Sequence, residues 1–302
     1  MFDWDDLRTF LAVARAGRIA PAARTLGIDA TTIGRRLTRL SQSLDTTLFE
    51  IAGGERRLTE RGQSLLHHAE AIESAALAAM DDGGGSPGGP TGQVRLSVAE
   101  GFGTWVLAPA VAEFSVRYPG IQLDLITASG FLNPSKREAD MAVMLARPQR
   151  GRLVVKRLGN YRLRLYAAKA YLDRAGRPRH PGDLRDHMLV GYVPELIFSP
   201  ELDYLGEVEA GLKAHLRSTS INVQHRMLAE GAGIGVLPDF IGTNDPRLVP
   251  LMPDEVAITR SFWLVTHVDL RALARIEALA DWLAVKVASL GYGRTGSASS
   301  GL

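Results

Sequence analysis

Asp29-Ala30-Thr31-Thr32-Ile33-Gly34-Arg35-Arg36-Leu37-Thr38-Arg39-Leu40-Ser41-Gln42-Ser43-Leu44 is the stretch on which the N-terminal fold turns. Ile33, Leu37, Leu40 and Leu44 recur with the period of one helical face. Asp29 is a good N-cap, because its carboxylate can accept the free N–H groups of a helix from Ala30 to about Leu44. That helix carries three arginines and no acid. Upstream, Leu7, Phe10, Leu11 and Ala14 predict a first helix that Gly17 stops. Pro21 suits the first turn of a second helix, Pro21 to Leu26, since its missing N–H costs nothing there, and Gly27 ends it. Downstream, Thr47-Leu48-Phe49 and Arg57-Leu58-Thr59 flank Ala52-Gly53-Gly54-Glu55, the pattern of a small hairpin or wing. A long helix is predicted from about Glu60 to Met80, roughly 31 Å at 1.5 Å per residue. Leu65, Leu66, Ala69, Ile72, Ala76 and Leu77 lie on one side of it.

Two short helices joined by a tight turn, the second starting at a cap, make a helix-turn-helix. The face opposite the apolar stripe offers Thr31, Thr32, Arg35, Arg36 and Arg39 as candidate DNA contacts. Short polar residues at the start of such a helix can approach base edges, while arginine reads guanine or clamps phosphate. Arg56 and Arg57 place charge on the wing, within reach of flanking backbone. The competing reading is a three-helix bundle with a solvated basic face. The coincidence of the glycine and proline punctuation, the acid-free helix and the wing favours DNA.

The chain of 302 residues fits about two domains. Hydrophobic residues are 46% and charged residues 23%, an ordinary globular composition. No cysteine is present, which excludes disulfides, thiolate metal sites and cysteine nucleophiles. Net charge is only +2, and the basic residues are 35 in number, with lysine at positions 136, 156, 169, 213 and 286 alone. Met1-Phe2-Asp3-Trp4-Asp5-Asp6 is acidic where a secretion signal needs basic residues, and no apolar run is long enough to span a membrane. A cytoplasmic location without membrane contact is expected.

Residues 81–92, almost all glycine, proline and small polar residues, read as a flexible hinge, and residues 291–302 as a disordered tail. Between them strands and helices alternate, which predicts an α/β architecture with mostly parallel sheets. Expected strands are Val94–Ala99, Ile121–Thr127, Met141–Leu145, Leu163–Ala167, Leu216–Ser218, Gly235–Leu237 and Phe262–Thr266. Expected helices are Thr104–Tyr118, Lys169–Ala175, Val223–Gly231 and Leu270–Leu290. A nucleotide-dependent enzyme is a second reading. Gly101-Phe102-Gly103 lacks its third glycine at Val106, and Gly231-Ala232-Gly233 lacks it at Val236. With no nucleophile elbow, phosphate loop or zinc motif either, no enzyme activity and no cofactor are expected.

Phe10-Leu11-Ala12-Val13-Ala14, Gly17 and Ala22-Ala23-Arg24-Thr25-Leu26-Gly27-Ile28 resemble the N-terminal signature of LysR-type transcriptional regulators. Leu48-Phe49-Glu50 and Leu58-Thr59-Glu60-Arg61-Gly62 match the family's wing motifs, and Gly231-Ala232-Gly233-Ile234-Gly235-Val236-Leu237-Pro238 its effector domain. Two departures stand out. The family usually has Gln-Pro-Ala-Val-Ser where this chain has Ala30-Thr31-Thr32-Ile33-Gly34, and Glu where it has Ser41. Base contacts of the family therefore do not carry over at Ala30 and Gly34.

The resemblance implies an α/β protein with an N-terminal winged helix-turn-helix at 1–62 and a linker or dimerisation helix at 60–80. It further implies a hinge at 81–92 and an effector-binding domain at 93–290. That domain would hold two subdomains of periplasmic-binding-protein type, one formed by 93–161 and 267–290 and the other by 162–266. The implied partners are double-stranded promoter or operator DNA, a small-molecule effector in the cleft, and the chain itself as homodimer or homotetramer through the long helix. Topology offers Glu100, Phe102, Gly103, Thr104, Ser129, Arg147, Ser218, Ser220 and His267 as effector contacts. Each has a bland alternative: Ser218 and Ser220 as helix caps, Arg147 as a surface charge, His267 as a packed residue. Glu100 would compete with an anionic ligand, so the effector is expected not to be a simple carboxylate held there, or Glu100 caps the helix without ligand. The remaining alternative is a sequence-independent architectural DNA binder, for which the large α/β half is superfluous.

Overall fold

The computed structural model describes residues 3–52, 55–81, 89–127, 134 and 138–291. The chain divides into two compact units, the first ending at Gly85 and the second taking the strands and helices after it. Most of the expected hinge (82–88), the wing tip Gly53-Gly54, Ser129 and the tail (292–302) lie outside the described residues.

In the first unit, α1 (Trp4–Ala16), α2 (Ile19–Leu26) and α3 (Ala30–Ser43) precede the hairpin β1 (Phe49–Ala52) and β2 (Glu55–Leu58). α4 (Glu60–Asp81) follows. Gly17 and Gly27 end α1 and α2 at φ 67° and 65°, left-handed positions that cost other residues more. The Asp29 carboxylate accepts the Thr32 N–H at 2.7 Å, the expected cap of α3. Leu7, Phe10, Leu11, Ala22, Ile33, Leu37, Leu40, Leu48 and Ala69 form one buried core, so the apolar stripe read from the sequence faces inward. Each large side chain there stabilises the unit by about 1.5–3 kcal/mol. The hairpin is tied to the α1–α2 turn by the Arg56 N–H, which donates to Gly17 O at 2.9 Å.

The wing motif has a packing cause. A Cβ at Gly62 would stand 2.2 Å from Leu48 O, so only glycine lets α4 start this close to β1. The Thr59 hydroxyl donates to Thr47 O at 2.7 Å and accepts the Gly62 N–H at 3.0 Å, closing that joint.

The second unit comprises β3 (Gly92–Val98), α5 (Glu100–Phe102), α6 (Val111–Arg117), β4 (Ile121–Ile126) and β5 (Met141–Met144). β6 (Leu153–Ala168), α7 (Lys169–Ala175), β7 (Leu189–Gly191), α8 (Leu205–Val208) and β8 (Leu216–Arg217) come next. α9 (Ile221–Ala229), β9 (Ile234–Pro238), α10 (Asp239–Gly242), β10 (Leu248–Leu251), β11 (Ile258–His267) and α11 (Ala274–Ala288) complete it. The strands order as β4-β3-β5-β11-β6-β9-β7-β8, with β10 beside β6. β3 lies parallel to β4 and β5 in one lobe, and β7 parallel to β8 and β9 in the other.

Four expectations are corrected. The sheet is mixed rather than mostly parallel: β11 runs antiparallel to β5 and β6, and β6 antiparallel to β9 and β10. The expected strand Leu163–Ala167 is only the second half of a strand beginning at Leu153; Gly159-Asn160 disguises the first half as a turn. Gly159 is instead a close approach, where a Cβ would come 2.7 Å from Val287 of α11. The expected helix Thr104–Tyr118 begins at Glu100 and is broken: a π turn (Gly103–Leu107) and a 3-10 turn (Ala108–Ala110) precede α6. Pro109 supplies no N–H, which interrupts the α-helical ladder there. α11 starts at Ala274 rather than Leu270, because Leu270 and Leu273 are buried in the turn that leads into it.

Candidate functional site

The outer face of α3 is the candidate nucleic-acid interface. Arg35 is exposed and makes no hydrogen bond or ion pair with the described residues, and Thr31 is exposed beside it. Arg36 and Arg39 point instead to α1. The Arg36 guanidinium donates to Asp5 at 2.9 Å and to the Thr9 hydroxyl at 3.4 Å. Arg39 forks onto Asp6 at 2.6 and 2.5 Å, and Asp6 is buried. Both arginines therefore hold α3 against α1, a role the helix sequence alone did not suggest because the acids sit some thirty residues upstream. Arg39 nevertheless keeps 53% of its side chain exposed, so its outer edge is open to solvent.

The Thr32 hydroxyl donates to Asp29 at 2.7 Å and holds that carboxyl below its ordinary value. It is engaged in the cap. On the hairpin, Glu50 pairs with Arg57 and Ile51 with Arg56. Arg57 is exposed on one face, while Arg56 is half-buried on the other.

The second candidate site lies between the two lobes of the second unit. Glu100 opens α5 in the first lobe; Ser220 caps α9 in the second by accepting the Val223 N–H at 3.1 Å. Glu100 Oε1 accepts from the Ser220 hydroxyl at 2.9 Å and from Asn222 Nδ2 at 3.1 Å. Asn222 also donates to the Thr104 hydroxyl at 3.0 Å and accepts from the Trp105 indole N–H at 2.8 Å. These bonds stitch the lobes together around a cavity of about 120 Å³. Glu100, Thr127, Tyr192, Phe198, Ser220 and Ile221 are among its walls. Burial, then the Glu100 carboxylate, push the Tyr192 phenol above its ordinary value.

The other residues expected in the cleft lie as follows. Phe102 is buried, its ring 4.6 Å from Phe262, and forms a wall of a smaller adjoining cavity. Gly103 is a packing position, since a Cβ there would come 2.4 Å from Thr127 Cγ2. Ser218 accepts the Ser220 N–H at 3.2 Å, a turn contact rather than a cavity wall. Arg147 is exposed and lies over the Trp263 ring at 5.6 Å, away from both cavities. His267 is buried at the end of β11, where Nδ1 accepts the Asp269 N–H at 3.3 Å. It shapes a turn. Ser129 is outside the described residues.

Asn222, Trp105, Tyr192 and Phe198 were missed. Asn222 and Trp105 sit beside the predicted helix starts Val223 and Thr104 and could have been flagged on that ground. Tyr192 and Phe198 belong to a segment of short 3-10 turns, Pro194–Leu196 and Pro200–Leu202, which carries no period to read. Among the described residues no cluster of three or more His, Cys, Asp or Glu could hold a metal ion. No described helix is long and apolar enough to cross a membrane.

Residues 4–63 match the family model described as bacterial regulatory helix-turn-helix protein, lysR family, and residues 87–287 match the LysR substrate binding domain. The Mau operon transcriptional activator of Paracoccus denitrificans is 31% identical over 288 residues, covering 93% of this chain and 95% of that one. Among solved structures, CrgA of Neisseria meningitidis, a LysR-type transcriptional regulator, superposes with TM-score 0.60 at 24% identity, covering 95% and 99% of the two chains. A full-length OxyR variant of Pseudomonas aeruginosa superposes with TM-score 0.66 at 15% identity, covering 95% and 98%.

Proposed function

The chain belongs to the LysR family of transcriptional regulators, and on that premise we propose a sequence-specific DNA-binding regulator controlled by a small molecule held between its two α/β lobes. The relatives it matches are transcriptional regulators, not enzymes. The observation that carries the reading is the acid-free α3, with Arg35 presented outward and uncommitted. Thr31 would approach base edges, Arg35 a guanine or phosphate, Arg57 and Arg56 the flanking backbone, and the open edge of Arg39 a phosphate. Arg36 and Thr32 would act mainly by orienting the helix.

In this reading the effector occupies the cavity at Glu100, Thr127 and Ser220, and changes the bonds that join the lobes, including the one from Asn222 to Thr104. Binding that favours one arrangement of the lobes shifts the population toward it. α4 packs on its own unit through Leu65, Leu66 and Ala69 and leaves Ile72 and Ala76 exposed. That face would pair antiparallel with α4 of a second copy, setting two α3 helices against two half-sites of an imperfect palindrome.

Genome-wide mapping of bound DNA, followed by competition between a recovered fragment and random DNA at fixed salt, tests the proposal. A recovered fragment that outcompetes random DNA by about 1,000-fold supports a sequence-specific regulator. Equal competition would establish the architectural alternative instead.

A further inference from the structure

Glu100 is a carboxylate without a counter-cation. It forms no ion pair with the described residues. Its two hydrogen bonds come from neutral donors, both reach Oε1, and Oε2 receives none. No Lys, Arg or His is among the described residues lining the cavity beside it. A half-buried carboxylate with one oxygen left without a donor has room for a cationic partner.

The rest of the chamber combines the hydroxyl side chains of Thr127, Thr219 and Ser220 with aromatic and aliphatic ones. Tyr192, Phe198, Leu202 and Ile221 line the 120 Å³ cavity. A second cavity of about 30 Å³ shares Tyr192, Leu202 and Ile221 and is also lined by Phe102, Tyr161 and Phe262. The Tyr161 hydroxyl is buried there and has no hydrogen-bond partner among the described residues. The outer cavity is close to the roughly 150 Å³ that holds benzene in an engineered protein core.

An unpaired carboxylate set among aromatic faces is the arrangement that recognises an ammonium group. An anion would meet like charge from Glu100 and find no basic residue on the described walls. Resting on the reading of this cleft as the effector site, we propose that its ligand is a small organic amine bound as the cation. The ammonium pairs with Glu100, and the apolar body lies against Tyr192 and Phe198. In the ligand-free protein Ser220 and Asn222 satisfy Glu100; an ammonium competes for the same carboxylate and so loosens the bonds between the lobes.

Titration calorimetry of the full chain with benzylammonium, benzyl alcohol and benzoate tests this. These probes share a ring and differ in charge. The wild type is expected to bind benzylammonium at least about tenfold more tightly than either other probe. Glu100→Gln keeps an oxygen for Ser220 and Asn222, and is expected to weaken benzylammonium about tenfold without strengthening benzoate to that level. Benzoate binding as tightly as benzylammonium to the wild type would overturn the proposal. So would undiminished benzylammonium binding by Glu100→Gln, or no binding by any probe at roughly 10 mM. The wild-type comparison stands even if the variant fails to fold. Footprinting of a recovered DNA fragment separates the two readings. Benzylammonium binding that leaves every DNA contact unchanged supports the amine site and overturns only its regulatory role.

Discussion

Gly34→Ala is a substitution whose outcome follows from local structure alone. Gly34 lies inside α3, and its φ is outside the left-handed region. A Cβ built on it meets no heavy atom within 4 Å. The new methyl therefore adds no clash, and the change acts through backbone entropy. Alanine is about 0.8–1.0 kcal/mol better than glycine in a helix interior, largely because the unfolded chain loses conformations. The first unit should gain about 1 kcal/mol, raising its Tm by roughly 4–8 °C for a domain of this size. Calorimetry of the full chain reads the shift, and urea titration should move the midpoint at constant slope. Unchanged or lowered stability would refute the helix argument. Affinity for a recovered operator, measured by fluorescence anisotropy at fixed salt, should stay the same. A tenfold loss of affinity with raised stability would refute mere tolerance of this glycine and assign Gly34 to close approach of backbone and DNA.

Arg35→Ala should weaken operator binding with the melting transition intact and flatten the salt dependence by roughly 0.9 if the contact is to phosphate; Arg36→Ala should lower the melting temperature as well, because it releases Asp5 and Thr9 from α3. Ile72→Glu on the exposed face of α4 should shift the chain toward monomer in sedimentation velocity, and an unchanged assembly would exclude that face. Tyr166→Phe removes the hydroxyl that donates to buried Asp239 at 2.8 Å, and chemical denaturation should register a loss of about 1–3 kcal/mol. Burial holds His225 below its ordinary 6.5, so the folded state binds fewer protons than the unfolded one and stability should fall as pH drops below about 6.5; His225→Gln should flatten that part of the profile. Asp245, held low by Arg247, adds stability above its ordinary 3.8 that is lost as pH falls further.

Local signals account for what was legible. Asp29, Gly17, Gly27 and the stripe of Ile33, Leu37 and Leu40 act within one or two turns of chain, so capping and periodicity place three helices without tertiary knowledge. Glu100 and Ser220 were legible for the same reason, each beginning a helix after a strand. Long-range contacts account for the misses. Arg36 and Arg39 read as free basic groups because Asp5 and Asp6 join them only when α1 crosses α3. Arg147 and His267 were placed in the cleft by topology, whereas packing against Trp263 and the turn at Asp269 sets them elsewhere.

Sequence by itself determined that this chain carries a winged helix-turn-helix followed by an α/β half, because caps, breakers and hydrophobic period are local properties; the division of that half into two lobes was implied only by the family resemblance. Tertiary structure alone decided which arginines of α3 remain free. It alone crossed the lobes with the long antiparallel pair β6 and β11. It also brought Glu100 against Ser220 and Asn222, residues 120 and 122 positions away. Whether a charge is compensated depends on what packs beside it, and that neighbour is chosen by the closing of the fold rather than by the adjacent chain.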